Sequence, residues 1–327
     1  MSQFANGPTF GAHSATPALD VAFSIHTDVD AAFYDLLYPE HEWYKIAAPD
    51  QIVRDVNAGA TSYAYTVRDT KGAAAFISNG TDRTIPQVAQ TVGAVQIPVA
   101  YAAVGAVITN EDARQYSFGF NGNLASDLGE AMRKACDNLT ENTVIFGNAD
   151  LDLLPWIAYP GIQVDTAATG ASGQTEWSAK TGEEIISDVL NALVSVWEDS
   201  LGIHKPLDVF LPMEQYARLQ RTPVVLGGVN LAVTALEYLK KNNIMTDQVG
   251  QELRITPVRY LKGAGAAGTD RMVVMERNKR NQCLPMPMEY TLAQPVPAPL
   301  AAELYAEMKI GSYHVRQPGS MRYVDGI

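Results

Sequence analysis

The most constraining feature of the sequence is a long helical pattern, Leu124–Phe146, that directly follows a long β-rich stretch. Apolar side chains recur along it every three or four residues, as on one face of an α-helix: Leu124, Leu128, Met132, Ala135 and Leu139. Asn123 or Ser126 can cap its start, and Gly147 is typical of a helix end. Such a helix is about 35 Å long at about 1.5 Å per residue. An extended stretch that leads into a long helix is an unusual order, and it governs the interpretation of the rest of the chain.

The β-rich stretch, residues 60–108, predicts a two-stranded ribbon. Apolar residues alternate with small or polar ones in two runs: Tyr63, Tyr65 and Val67, then Val95, Ile97, Val99 and Tyr101. Asn79-Gly80 predicts the turn between the runs, and Pro98 favours an edge position or a bulge in the second. Two arms of about 20 residues would reach roughly 60 Å. An isolated ribbon is marginal in water, so this one needs a cover that no nearby element of the sequence supplies.

After the long helix, a Gly/Ser/Thr-rich link at residues 166–175 leads into a second unit. Thr181 and Glu184 fit a capping box, and the helix after them carries one broad apolar face: Ile185, Ile186, Val189, Leu190, Leu193, Val196 and Trp197. Further strands are predicted at 207–211, 253–260 and 271–276, and helices at 214–220 and 231–241, which together make a compact α+β domain. The alternation of Leu304, Ala306, Met308 and Ile310 predicts a last strand that pairs with an earlier one beside the long helix.

Composition excludes several classes of function. Charged residues make up only 18% of the chain and the formal net charge is −12, which argues against a general nucleic-acid-binding surface. Cys136 and Cys283 are the only cysteines, so we expect reduced thiols and neither a disulfide framework nor a cysteine zinc site. No apolar run is long enough to span a membrane, and residues 1–27 resemble an extended arm rather than a signal peptide. We therefore expect a soluble protein made in the cytoplasm.

No catalytic constellation is evident. Residues 263–268 match the glycine spacing of a dinucleotide-binding loop, but a strand rather than a helix is predicted after them, which favours a hairpin loop. The five histidines are scattered, and Asp150 and Asp152 alone supply too few ligands for calcium. We expect no catalytic, metal or cofactor site, and hence no enzyme. An α/β enzyme that uses the 263–268 loop stays open as a remote alternative.

The order of elements resembles the major capsid proteins of tailed phages, more specifically a capsid family once catalogued only as a domain of unknown function. The similar segments are the helix exit at 142–147, the loop at 156–162, Trp177, Thr181 and 185–188, the strand-Pro-helix unit at 207–219, Pro285-Met286-Pro287-Met288, and the ending 323–327. The resemblance covers roughly residue 60 to the end.

This resemblance implies the α+β capsid fold of the Hong Kong 97 type. Residues 1–27 would be the N-terminal arm and 59–106 the extended loop. The peripheral domain would comprise 28–58, 107–165 and 295–327, with a spine helix at about 123–147, and the axial domain would be 166–294.

The function implied is a subunit of the icosahedral head shell of a tailed double-stranded DNA phage, assembled in the host cytoplasm and located in the virion. Its partners would be copies of itself in hexamers and pentamers, with portal, scaffold and decoration proteins as further candidates, and DNA enclosed without sequence-specific binding. An encapsulin-like compartment that holds a protein cargo is the alternative. Because the ribbon lacks an evident intrachain partner, we predict that four of its residues lie against another subunit: Tyr63, Tyr65, Ile97 and Tyr101.

Overall fold

The structure, a computed structural model, describes residues 39–74, 87–120, 124–226 and 229–327. The predicted arm at 1–27 and the Asn79-Gly80 turn lie outside the described residues. Residues His41–Ile327 form one compact unit.

The helices of this unit are short except for two. They are α1 (Trp43–Ile46), α2 (Asn110–Phe120), α3 (Leu124–Phe146), α4 (Gly182–Asp199), α5 (Met213–Arg221), α6 (Ala235–Lys241) and α7 (Ile244–Val249).

The strands are β1 (Ile52–Val53), β2 (Ser62–Lys71), β3 (Ala89–Thr109), β4 (Gln163–Thr166), β5 (Asp208–Leu211), β6 (Pro223–Leu226), β7 (Val229–Thr234), β8 (Arg254–Pro257), β9 (Arg271–Met275), β10 (Gln282–Pro285), β11 (Met288–Leu292), β12 (Val296–Ala298), β13 (Ala301–Gly311), β14 (His314–Val315) and β15 (Met321–Asp325). The sheets have the orders β4-β15-β9-β5-β8, β11-β13-β3-β2, β1-β10-β14 and β6-β7, with β12 beside β13.

The five-stranded sheet β4-β15-β9-β5-β8 forms the centre of the unit and is covered on both faces. Val209, Val274 and Val324 face a core made with α4, α5 and α6, whereas Phe210 and Tyr323 face a second core beneath α3. Strands β5, β9 and β15 are therefore buried along their whole length, as expected for strands between two layers.

A second sheet is built on β3, which is 21 residues long and changes partners in its middle. Residues 89–98 pair with β2, and residues 99–109 pair with β13, both antiparallel. Pro98 lies at the changeover, where its missing N–H interrupts neither ladder. This confirms the predicted ribbon and the edge character of Pro98. The last predicted strand also pairs with an earlier one, as β13, and its Leu304 and Ala306 pack on Met132 of α3.

The long helix α3 has the predicted bounds but a different buried face. It ends at Gly147, which has φ +66°, and a Cβ there would collide with the Leu153 carbonyl oxygen, so only glycine fits. Cys136 and Thr140 are buried, whereas Ala135 and Leu139 of the predicted stripe are exposed in the subunit. Met132, Cys136, Thr140 and Val144 are buried at steps of four residues, and Glu141, Thr143 and Ile145 near the end of the helix are buried as well.

Two other segments differ from the sequence prediction. The polar residues before α3, for which no helix is predicted from the sequence, form α2. Its start is capped reciprocally by Thr109 and Asp112: the Asp112 N–H donates to Thr109 Oγ1 at 3.1 Å, and Thr109 donates to Asp112 Oδ2. The predicted helix at 231–241 begins only at Ala235, because residues 229–234 pair with β6 as β7. The capping box of Thr181 and Glu184 is confirmed.

The C-terminal strand β15 lies inside the central sheet. It pairs in parallel with β4 and antiparallel with β9. The division expected from the sequence placed 295–327 with the long helix, yet β15 is hydrogen-bonded to a strand of the 166–294 segment. The chain end thus ties the two proposed domains together.

Candidate assembly surfaces

The base of the ribbon is anchored to its own subunit. Ile97 is only 1% exposed and forms a small core with Val53 and Cys283, and Tyr63 and Tyr65 pack against the same core. The expectation that these side chains lack an intrachain partner is therefore wrong for all three. Their cover comes from β1, which lies shortly before the ribbon in the chain, and from β10, which lies far after it.

Two hydrogen bonds fix Tyr65 and its neighbours around His314. The Tyr65 hydroxyl lies 3.0 Å from His314 Nε2, and the Tyr159 hydroxyl lies 2.9 Å from Nδ1. Burial, aided by the nearby Arg316 guanidinium, lowers the pKa of His314 to about 4. The ring is therefore neutral near pH 7, with one nitrogen as donor and the other as acceptor for the two hydroxyls.

Arg316 completes this anchor beside His314, and both side chains contact Tyr65. Its guanidinium lies 4.9 Å from the ring centre of Tyr65, and its NH2 group donates to the Tyr63 hydroxyl at 3.0 Å. Sequence reasoning missed His314 and Arg316. The sequence does contain a pattern that could have indicated them, since apolar and polar residues alternate at 313–316. Tyr313 and Val315 face inward, so His314 and Arg316 lie on the opposite face of the chain.

The outer part of the described ribbon has no such cover. Val67, Val88 and Val92 are largely exposed, and β2 is exposed along its last six residues. The paired part runs from Ser62 opposite Pro98 to Lys71 opposite Ala89, ten residues or about 33 Å. A two-stranded ribbon of this length with exposed valines is a candidate assembly surface, because it gains stability from being covered.

Tyr101 lies on the outer face of the sheet, away from α3. It is 59% exposed, and its hydroxyl donates to Glu307 at 2.9 Å, which raises the pKa of the phenol. Tyr305 on the neighbouring strand lies over Gly105, where a Cβ would come within 2.9 Å of its ring. Of the four residues predicted at an interface, only Tyr101 keeps most of its surface exposed in the described chain. That all four contact another subunit stays a prediction.

A buried charged joint connects α3 to the rest of the unit. Glu141, on the buried face of α3, accepts hydrogen bonds from the Glu42 N–H at 3.0 Å and from Arg259 NH2 at 2.8 Å, and its other oxygen lies 2.8 Å from His41 Nδ1. The Arg259 N–H in turn donates to Glu42 Oε2 at 2.8 Å. The joint holds three distant segments at one point and satisfies each buried carboxylate.

The glycine-rich loop at 263–268 is a structural turn. The loop is held by Asp325, which accepts from the Ala266 N–H at 2.9 Å and pairs with Arg271. A Cβ on Gly265 would lie 2.9 Å from the Thr269 carbonyl oxygen. As predicted, the strand β9 follows the loop, so the loop lacks the helix N-terminus that would hold a pyrophosphate.

The histidines of the described segments serve separate structural contacts. His41 lies against Glu141, His204 against Glu276 at 2.8 Å, and His314 against two tyrosines. Within the described ranges, no three His, Cys, Asp or Glu side chains are grouped as a metal site would require. Among the helices described, none is long and apolar enough to cross a membrane.

Comparison with known proteins agrees with this architecture. The chain is similar to the capsid of Myoviridae phage XM1, with 14% identity and a TM-score of 0.73 over 92% of this chain and 97% of that one. It is also similar to the capsid of a native GTA particle, with 11% identity and a TM-score of 0.60 over 96% of this chain and 99% of that one. A structure from Microbacterium phage Oxtober96 is similar with 11% identity and a TM-score of 0.59 over 90% of this chain and 94% of that one. These likenesses confirm the predicted α+β phage-capsid fold. Curated proteins yield no match by sequence.

The family assignment rests on the sequence. The model of the family described as Major capsid protein matches residues 72–327, which is most of the chain and includes both the ribbon strand β3 and the central sheet. The expected resemblance is confirmed, and the chain belongs to the major capsid protein family.

Proposed function

We propose that the protein is the major capsid protein that builds the icosahedral head shell of a tailed double-stranded DNA phage. The family match over residues 72–327 carries this proposal. The outer ribbon supports it, because a long two-stranded arm outside the core of its own subunit, with exposed valines, gains stability when another molecule covers it. Its role is structural, and we assign it no catalytic step.

The partners that fit are further copies of the chain. A copy that covers its neighbour's ribbon makes a head-to-tail contact, and such contacts close into rings that can tile a shell. The formal charge of −12 suits DNA that is enclosed rather than tightly bound, since neutralising phosphates needs clustered Lys and Arg. We place the protein in the virion capsid, after synthesis and assembly in the host cytoplasm.

The division into capsid domains follows the same proposal with one change. We assign 59–106 to the extended loop, 28–58, 107–165 and the start of 295–327 to the peripheral domain, and 166–294 to the axial domain. Strands β4 and β15 complete the axial sheet, because they pair with each other and β15 pairs with β9. The chain thus crosses between the domains at its end as well as in its middle.

Electron microscopy of the purified protein tests the function. We expect ring-shaped capsomers or closed icosahedral particles after expression, and nucleic acid inside particles isolated from phage-producing cells. Small globular oligomers that do not assemble at high protein concentration would contradict the proposal. Closed particles filled with a protein cargo and no nucleic acid would instead support a compartment.

A further inference from the structure

The turn that ends α4 presents two exposed aliphatic side chains on a fixed backbone. Leu201 is 91% exposed and Ile203 is 73% exposed. The Leu201 N–H donates to the Glu198 carbonyl at 2.9 Å and the Gly202 N–H to the Trp197 carbonyl at 2.8 Å, while Leu201 adopts φ +52°. Non-glycine residues rarely hold this conformation, so the turn is well determined although its apolar side chains are uncovered. We call Leu201 and Ile203 the knob.

A second apolar surface lies on the β6–β7 hairpin. Residues 223–234 contain no charged side chain, and Val225, Val229 and Leu231 are all substantially exposed. The hairpin is fixed at its base, because Val224 is fully buried against the core beneath α4. A two-stranded hairpin with exposed valines and leucine gains from being covered. We call Val225, Val229 and Leu231 the hairpin patch.

The two surfaces lie at opposite ends of the same helix. The hairpin begins against the first residue of α4, since a Cβ on Gly182 would lie 2.8 Å from Thr222 Cγ2 and 2.9 Å from the Pro223 carbonyl oxygen. The knob follows the last turn of α4, 18 residues and about 27 Å away. Because the surfaces differ and α4 separates them, one subunit cannot close the contact on itself. Two different surfaces on one subunit are what a head-to-tail ring requires.

Charge next to each surface is complementary. Glu198, at the knob, and Arg221, immediately before the hairpin, are both exposed, and neither side chain forms an ion pair with a described residue. Each surface comprises only two or three apolar side chains. The area that such a contact buries is far below the roughly 800 Å² per partner of a stable isolated dimer. A contact of this small area suits one that recurs around a ring of many copies. We take a second copy of this chain as the occupant, because the two surfaces have opposite charges beside them and lie at opposite ends of α4.

We propose that the knob of one copy docks on the hairpin patch of the next copy in a ring, with Glu198 of the first facing Arg221 of the second. This rests on the proposed function as a shell subunit and assigns one of its ring contacts to named residues.

Charge reversal tests the pairing. Glu198→Arg and Arg221→Glu are made singly and together, with Glu252→Arg, an exposed glutamate elsewhere, as the matched control. We expect each single reversal to lower the yield of closed particles at least tenfold, the double variant to recover to within about threefold of wild type, and the control to assemble normally. Unchanged melting temperatures of the unassembled proteins would show that folding is intact.

Cross-linking gives an independent measurement. With Ile203→Cys and Val229→Cys in one chain, mild oxidation should produce a ladder of covalent multimers on a non-reducing gel, and neither single variant should, because Cys136 and Cys283 are buried. Normal assembly of the single charge reversals, failure of the double to recover, or absence of the ladder would each overturn the contact while leaving the shell function intact. A wild-type protein that forms no particles would overturn both.

Discussion

Ile97 lies where the ribbon meets the body of the subunit, and its side chain is almost fully buried. Its neighbours Val53 and Cys283 come from β1 and β10, so the contact holds β3 onto two other segments. Replacing it with serine removes apolar contacts and buries a hydroxyl. We predict that Ile97→Ser lowers the free energy of unfolding of the unassembled subunit by about 3 kcal/mol. Urea denaturation followed by tryptophan fluorescence measures this.

The matched control is Val92→Ser on the same strand. Val92 is 60% exposed, so the same kind of change should alter the free energy of unfolding by less than about 0.5 kcal/mol. Equal effects of the two substitutions would show that the base of the ribbon is not anchored as described.

His314 should make the anchor sensitive to acid. Because its folded-state pKa of about 4 lies below the ordinary value of 6.5, the unfolded chain binds the proton first as the pH falls. The stability that the neutral ring supplies is complete above about pH 6.5 and is lost as the pH falls toward 4. We predict that wild type loses on the order of 1–2 kcal/mol more than His314→Gln between pH 7 and pH 4.5, after solvent screening is allowed for. Parallel denaturation curves that shift equally with pH would contradict this.

At the scale of elements, the charged joint decides how α3 is held. Glu141 receives hydrogen bonds from two other segments and is almost fully buried, so removing its carboxylate takes away the charged acceptor of the Glu42 N–H and of Arg259 NH2. We predict that Glu141→Ala costs about 3 kcal/mol of unfolding free energy. Glu130→Ala, which removes an exposed pair with Lys134 on the same helix, should cost less than about 0.5 kcal/mol. Thermal denaturation of both variants is the measurement, and similar losses would refute the joint.

The backbone amides at the base of the ribbon should differ from those of its outer part in their protection from hydrogen exchange. Amides near its base, residues 62–65 and 95–98, lie beside the Ile97 core, whereas residues 66–71 and 89–94 add no side chain to the buried clusters of the described chain. We predict slow hydrogen exchange of the base in both unassembled and assembled protein, and strong protection of the outer part only after assembly. Outer amides that are equally protected in both states would show that the subunit covers its own ribbon.

The elements that the sequence predicted correctly are those with local determinants. Gly147 marks the end of α3, and Thr181 with Glu184 marks the start of α4, because caps involve neighbours within one turn. The start of α2 carries the same kind of local signal in the reciprocal cap of Thr109 and Asp112, although no helix is predicted there. Residues 231–234 were wrongly predicted as helix, because pairing with β6, and not their own periodicity, decides their state.

The assembly surfaces were harder to predict, because they depend on contacts between distant parts of the chain. Tyr63 and Tyr65 alternate correctly for a ribbon, but whether their exposed face stays free depends on His314 and Arg316, which arrive from the far end of the chain. Exposure is a property of the whole packing, and a sequence pattern gives only which residues share a face.

At the scale of the whole molecule, the chain divides into a part that forms the core and a part that is exposed and available for contacts with other subunits. β15 is in the first part: Met321, Tyr323 and Val324 are buried, and the strand lies between β4 and β9. The outer ribbon is in the second part, since its side chains contribute to none of the buried clusters of the described residues.

This division predicts opposite results for two deletions. Removing residues 321–327 withdraws the second strand of the central sheet and leaves β4 without its partner, so we expect the protein to be insoluble or to unfold with no cooperative transition. Replacing residues 67–93 by Asn-Gly shortens the ribbon above its anchored base, and we expect a soluble subunit whose melting temperature is within about 4 °C of wild type but which forms no closed particles. Calorimetry and electron microscopy on the two variants decide the matter. A stable protein without β15, or normal shells without the outer ribbon, would show that the core and the assembly arm have been assigned to the wrong parts of the chain.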